Sequence, residues 1–215
     1  PLDGLSRDAR HPLERAWDEY EASQRLNADR PEGRANLAAF WLRRGKAEQA
    51  EKEYIDGLKI EPAATPLSIN LADLYRAQGR EDEAEKILRQ ALTITPQASA
   101  AHHSLGLSLV RRKRYNEALS ELALAVKYAP EEPMYAHVEV VALQSLGDAK
   151  GAKSKLEQAH KKFPFDVELL QLALRASMDE ADLSRAALLA RKLSDLLPDD
   201  TEISRFAASL KNRKQ

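Results

Sequence analysis

Small and apolar residues return along this chain at a fixed interval of 34 positions. With Pro31, Thr65, Ser99, Pro133 and Val167 each taken as position 1 of a unit, position 20 is alanine five times: Ala50, Ala84, Ala118, Ala152 and Ala186. Position 24 reads Tyr54, Leu88, Leu122, Leu156 and Ala190, and position 7 reads Leu37, Leu71, Leu105, Glu139 and Ala173. A proline closes every unit (Pro62, Pro96, Pro130, Pro164, Pro198), without insertion or deletion. Such a period means stacked two-helix units. The apolar positions predict antiparallel helices of about 13 residues, roughly 20 Å long, packed about 8 to 10 Å apart. That closeness needs small residues at the crossing. Ala38, Ala72 and Gly106 supply them at position 8, and Gly57, Ala91, Ala125 and Ala159 at position 27. Position 15, where the turn between the two helices falls, is Gly45, Gly79, Lys113, Gly147 and Ala181.

The predicted helices are 32–44 and 47–60, 65–78 and 81–94, 99–112 and 115–128, 133–146 and 149–162, 167–179 and 183–196. Upstream, residues Pro1 to His11 have no period and read as a loose lead-in. Then Leu13, Ala16, Trp17 and Tyr20 recur at helical spacing behind Pro12, which suits a first helical turn. In the repeat register Ala16 falls on position 20 and Tyr20 on position 24, so this helix reads as the second half of a repeat. Downstream, Asp199 to Thr201 can cap a last helix with Ile203, Phe206, Ala207 and Leu210 on its apolar face and Ser204, Arg205, Ser209 and Asn212 on the polar one. A repeat array needs such a polar-backed cap. Lys211 to Gln215 is expected to fray.

The stretches NLADLYRAQGREDEAEKILRQALTITP (70–96) and SLGLSLVRRKRYNEALSELALAVKYAP (104–130) resemble the tetratricopeptide repeat, or TPR, family. The resemblance implies an all-α fold, an α-α superhelix in which antiparallel helix pairs stack into a right-handed solenoid. It divides the chain into a lead-in and half-repeat helix (1–30), five repeats (31–64, 65–98, 99–132, 133–166, 167–200) and a capping helix (201–215). The last two repeats depart from the pattern, with Val140 and Leu174 at the small position 8 and with Ala190 and Leu193 reversing the usual large and small order. Compensated packing is expected, because swaps that conserve total volume are tolerated.

Charge and composition narrow the function. Lys plus Arg (33) nearly cancels Asp plus Glu (34), so no overall field points to nucleic acid or an anionic membrane. With no cysteine, disulfides, thiolate metal sites and a covalently attached haem are excluded within the chain. No apolar run reaches membrane-spanning length, and the first thirty residues lack the form of a signal peptide. A soluble protein of the bacterial cytoplasm or periplasm is expected. No phosphate loop, nucleophile elbow or HExxH pair occurs, so neither an enzyme nor a cofactor is expected.

In the TPR family the first helix of each repeat lines a concave groove, mainly through positions 2, 5, 6, 9, 12 and 13. In the first two repeats those positions include Asn36, Arg43, Asn70, Asp73 and Arg76, able to bond an extended peptide backbone or pair with its charges. Asn36 and Asn70 resemble the backbone-gripping asparagines of peptide-binding TPR domains; the alternative is that they satisfy neighbouring helix termini. In repeats three and four the positions turn apolar, with Leu107, Val110, Met134, Val138 and Val141 ringed by His103, Arg111, His137 and Gln144. Such a strip accepts apolar anchors of a peptide or helix unless neighbouring helices cover it. Arg76, Arg111 and Arg175 favour an acidic or carboxylate-bearing ligand.

His103 and His137 share one register position, yet points on successive first helices lie roughly 10 Å apart, too far for both to reach within about 2.1 Å of one metal. No metal is expected. His102 occupies a packing slot, while His11 and His160 have no company. The basic run Arg111 to Arg114 falls on a corner without interleaved aromatics, which reads as solvated surface rather than a base-stacking site. Chaperone-binding TPR domains grip a carboxylate with five residues, and only Asn70 of the corresponding Ala35, Ala39, Asn70, Ala100 and Ser104 matches. Chaperone tails are not expected partners.

The expected function is a non-catalytic scaffold binding a peptide or protein segment in the groove. The alternative is self-association, as a homodimer through the N-terminal helix with Trp17 and Tyr20, or docking within a longer bacterial protein. NADRPEGRANLAAFWLRRG more loosely resembles the TPR tail of bacterial multihaem cytochrome c proteins.

Overall fold

The computed structural model describes the backbone of residues 7–212 and the side chains of 14–210. The described residues form twelve α-helices: α1 (Arg7–Arg25), α2 (Pro31–Arg43), α3 (Ala47–Ile60), α4 (Thr65–Ala77), α5 (Glu81–Ile94), α6 (Ser99–Arg111), α7 (Tyr115–Tyr128), α8 (Pro133–Leu146), α9 (Ala149–Lys162), α10 (Val167–Asp179), α11 (Leu183–Leu196) and α12 (Thr201–Asn212). The ten repeat helices fall within a residue of the positions read from the sequence.

The chain divides into two compact units, Pro1–Ser108 and Leu109–Gln215. In the first, Leu37, Ala38, Leu71, Ala72, Leu88 and Leu105 are buried, with Phe40 and Tyr54 beside them. In the second, one cluster joins Val140, Leu156, Leu169, Leu170, Leu189, Leu193 and Leu210. All five position-20 alanines are buried. The expected compensation in the last two repeats is visible: Val140 and Leu174 at position 8, Ala190 at 24 and Leu193 at 27 all lie in this one cluster. A smaller side chain at position 24 is offset by a larger one at 27, as a close-packed interior requires.

Every corner turns at position 15 with left-handed backbone. The φ angles are +71° at Gly45, +74° at Gly79 and +86° at Gly147, and also +60° at Lys113 and +57° at Ala181. After the corner, α9 and α11 open on capping aspartates: Asp148 accepts from the Gly151 amide at 2.8 Å and Asp182 from the Arg185 amide at 2.9 Å. The same register position in the first three repeats is Lys46, Arg80 and Arg114, none of which caps through its side chain.

The N-terminal helix starts earlier than its sequence suggests. Arg7 to His11 are helical rather than loose, and Pro12 lies inside α1 rather than in its first turn. Arg7, Ala9 and Arg10 are strong helix formers, enough to carry the helix past the one backbone donor that Pro12 lacks. Lys211 and Asn212, expected to fray, are the last residues of α12; the remainder of the lead-in, the Leu13 and His11 side chains, and residues 213–215 lie outside the described residues. At the other end Asp200 accepts from the amides of Glu202 and Ile203, each at 3.0 Å, and caps α12 as expected. Ser204, expected on the water-facing side, instead meets Ser194 of α11 at 2.9 Å.

Candidate protein-interaction site

In the first unit, Asn36 and Arg43 lie exposed on α2, and Asn70 and Asp73 exposed on α4, with Arg76 half-buried beside them. His103 and Leu107 on α6 are half-buried. The side chains of Asn36 and Asn70 make no hydrogen bond among the described residues, and the N-caps of their own helices are Arg30 and Ala64. Two candidates meet directly: Arg76 Nη1 lies 2.6 Å from Asp73 Oδ1. Burial, and then the nearby Asp73 carboxylate, raise the Tyr54 hydroxyl above the ordinary tyrosine value. The Arg76 charge is therefore already engaged.

In the second unit, Val110 is half-buried and Arg111 exposed at the end of α6. On α8 His137 and Val138 are half-buried, while Met134, Val141 and Gln144 are exposed; Arg175 is exposed on α10. The apolar strip of α8 is thus not fully covered by its neighbours. His137 Nδ1 approaches Glu168 Oε2 of α10 at 3.7 Å. In the basic corner, Arg114 Nη2 grips Glu117 in the first turn of α7 at 2.6 Å.

His102 is buried as expected, its Nε2 2.9 Å from the Pro96 carbonyl. Burial lowers the His103 pKa below the ordinary 6.5. His160 does have company: burial, then Lys192 and Arg185, push its pKa down. Among the described residues no cluster of three or more histidines, cysteines or carboxylates could hold a metal, and no helix is long and apolar enough to cross a membrane.

Several features escaped the sequence reading. Arg80 stacks 4.2 Å from the Tyr75 ring centroid while its guanidinium holds Glu51 and Glu83, each at 2.6 Å. Those two carboxylates raise the Arg80 pKa further. Lys46 covers Trp41 in the same way at 4.9 Å. An aromatic at position 11 five residues before a cation was the available signal. An open groove of about 420 Å³ lies along α3 and α5, lined by Leu58, Pro62, Ile87, Ala91 and Ile94 among others, and none of the candidate residues borders it.

Paired helices with buried small residues at their crossings, repeated at a constant register, define a helical-repeat protein. Residues 42–106 and 75–139 match the tetratricopeptide repeat family model, so that stretch carries tetratricopeptide repeats. Three solved structures share the fold. MamA is 16% identical, with 77% of this chain and 97% of that one covered and a TM-score of 0.64. The Pseudomonas aeruginosa pilF protein is 20% identical, covering 91% and 98% with a TM-score of 0.62. YrrB, described as a TPR protein with an unusual peptide-binding site, is 18% identical, covering 88% and 97% with a TM-score of 0.58. No curated protein sequence matches the chain. Tetratricopeptide repeats form a family of non-catalytic scaffolds for protein interaction.

Proposed function

We propose that the chain binds an extended peptide or protein segment along its first helices and catalyses no reaction. The observation that carries this reading is the pair Asn36 and Asn70. Both occupy position 6, both are exposed, and neither side chain bonds to the described protein. An amide side chain that supports no helix end is available to donate to and accept from a ligand backbone. Within the first unit, Asn36 and Arg43 on α2 and Asn70 on α4 offer polar contacts; within the second, taken by itself, the exposed Met134 and Val141 on α8 offer apolar seats. Arg43, Arg111 and Arg175 favour an acidic segment or a terminal carboxylate, and such a ligand competes with Asp73 for Arg76.

The test is a peptide-display selection on the wild-type chain, followed by anisotropy titration of the selected peptides. Asn36→Ala with Asn70→Ala should weaken binding about tenfold or more, since one to two ligand hydrogen bonds are lost, while melting stays unchanged. Equal binding by wild type and variant, or selected peptides without acidic character, counts against the reading.

A further inference from the structure

Position 4 of the repeat is occupied in different ways along the chain. In the first repeat it is Arg34, whose Nε donates to the Ala28 carbonyl at 2.8 Å while its Nη1 pairs with Glu53 at 2.6 Å. In the third it is His102, whose Nε2 donates to the Pro96 carbonyl at 2.9 Å. Ala28 and Pro96 share register position 32, so the two planar N–H groups reach the same backbone oxygen at the entry to their own helices. In the fifth repeat position 4 is the fully buried Leu170, and position 23 is the apolar Leu189. Where position 4 is the small Ala136, position 23 is the long Lys155.

The second repeat is short at position 4 and apolar at position 23, with Ser68 and Ile87. Ser68 is 2% exposed, and its hydroxyl makes no hydrogen bond among the described residues. The carbonyl at position 32, that of Pro62, accepts none among them either. Both residues border the groove of about 420 Å³, together with Leu58 of α3 and Ile87, Ala91 and Ile94 of α5. That volume falls in the ordinary range of small-ligand sites. No residue lining it is charged. Of the charged residues adjoining these in sequence, Lys59 and Arg89 are held within their own helices by Asp56 and Glu85, and Glu61 and Lys86 are opposite in sign. A charged head entering the groove would lose water without the counter-ion that Arg34 has in Glu53.

We infer that this groove seats a tryptophan side chain of a partner protein, its indole ring on Leu58, Ile87 and Ile94 and its N–H donating to the Pro62 carbonyl. The first and third repeats satisfy the same carbonyl with a planar N–H group. An uncharged lining calls for an uncharged donor, and indole joins one planar N–H to a large apolar body without charge. Ser68 leaves the room that Leu170 fills in the fifth repeat. The source is a protein segment rather than a free small molecule, because Ile94 at the edge is 51% exposed and only a ligand that continues past the ring would cover it. None of the residues assigned to peptide binding borders the groove, so this site goes beyond that reading and stands independently of it.

The test is a methyl and amide NMR titration of the full chain with N-acetyl-L-tryptophanamide. Saturable shifts should centre on Leu58, Ile87, Ala91 and Ile94, and N-acetyl-L-argininamide should leave those signals unmoved. The analogue methylated at the indole nitrogen should bind about fivefold more weakly, the loss of one hydrogen bond. Ser68→Leu, which copies the fifth repeat, should abolish the shifts, whereas Ser68→Ala keeps the room and should bind within about twofold of the wild type. If Ser68→Leu does not melt cooperatively, Ile94→Glu at the exposed edge replaces it and should weaken binding about tenfold. A blocked peptide with tryptophan at its centre should bind more tightly than free indole. Absent shifts, shifts centred elsewhere, equal binding of the argininamide or of the methylated analogue, undiminished binding by the filled or charged variant, or tighter binding of free indole than of the peptide overturns the proposal. Asn36→Ala with Asn70→Ala should bind the probe as the wild type does, which separates this result from failure of the peptide reading.

Discussion

Lys155 closes over Glu139: its Nζ lies 2.8 Å from a carboxylate oxygen that α8 carries into the interior. Glu139 stands at position 7, where Leu37, Leu71 and Leu105 stand in the first three repeats, and it is only 5% exposed. The buried charge is tolerated because Lys155, on the paired helix α9, keeps its stem against the protein and its amine at the surface.

Removing one partner leaves the other uncompensated. Lys155→Ala should cost about 2 kcal/mol in urea unfolding, less than a fully buried pair because the lysine is partly solvated. Glu139→Leu restores the apolar choice of the earlier repeats and should be neutral to within about 1 kcal/mol, or stabilising. A larger loss for Glu139→Leu than for Lys155→Ala would mean that the pair adds net stability.

The corners carry backbone strain at two of their five positions. Lys113 and Ala181 hold φ angles of +60° and +57°, which cost a side-chain-bearing residue about 1 kcal/mol or more relative to glycine. Lys113→Gly and Ala181→Gly should each raise stability by about 0.5 to 1 kcal/mol after allowance for the more flexible unfolded chain. Gly147→Ala should lower it by about 1 kcal/mol through backbone conformation alone, as an added methyl group would meet nothing within 4 Å. Thermal melts of the three variants check the signs.

Helix α9 depends on one cap. Asp148→Ala removes the acceptor 2.8 Å from the Gly151 amide and should cost about 1 kcal/mol. Asp148→Asn keeps an oxygen there and should recover most of the loss. Equal melting of both variants would show that water replaces the cap.

Acid should weaken the fold below the ordinary histidine pKa. Burial depresses His103, and burial with Lys192 and Arg185 depresses His160. Both groups bind protons more readily unfolded than folded. Their contribution is therefore fully present above about pH 6.5 and is lost as pH falls through the lower folded values. Melting temperatures between about pH 7.5 and 5.5 should fall for the wild type and fall less for His103→Gln with His160→Gln.

The helices were legible because each is written several times. One alanine at position 20 says little, whereas five in register locate the crossing of every pair, and the proline at position 32 marks the end of each second helix. The site was legible only in part. Register placed Asn36 and Asn70 on matching faces, but not the capture of Arg76 by Asp73, which depends on rotamers within one turn of α4. Nor did it show that Glu139 finds Lys155 across the α8 and α9 pair. At the N-terminus, periodicity started the helix at Pro12 because the five preceding residues, four polar ones and Ala9, carry no apolar pattern, although their propensity extends α1 to Arg7.

By itself the sequence determined the helix pairs, their small-residue crossings and the place of their corners. These are local in origin, since helix period, side-chain size and turn geometry are properties of segments of a few to a few tens of residues. Tertiary packing alone decided which charges are already paired, that Asn36 and Asn70 support no helix end, and that Ala16 remains exposed while every repeat alanine at position 20 is buried. Exposure and pairing depend on what lies across the gap, and no pattern within one helix contains its neighbour.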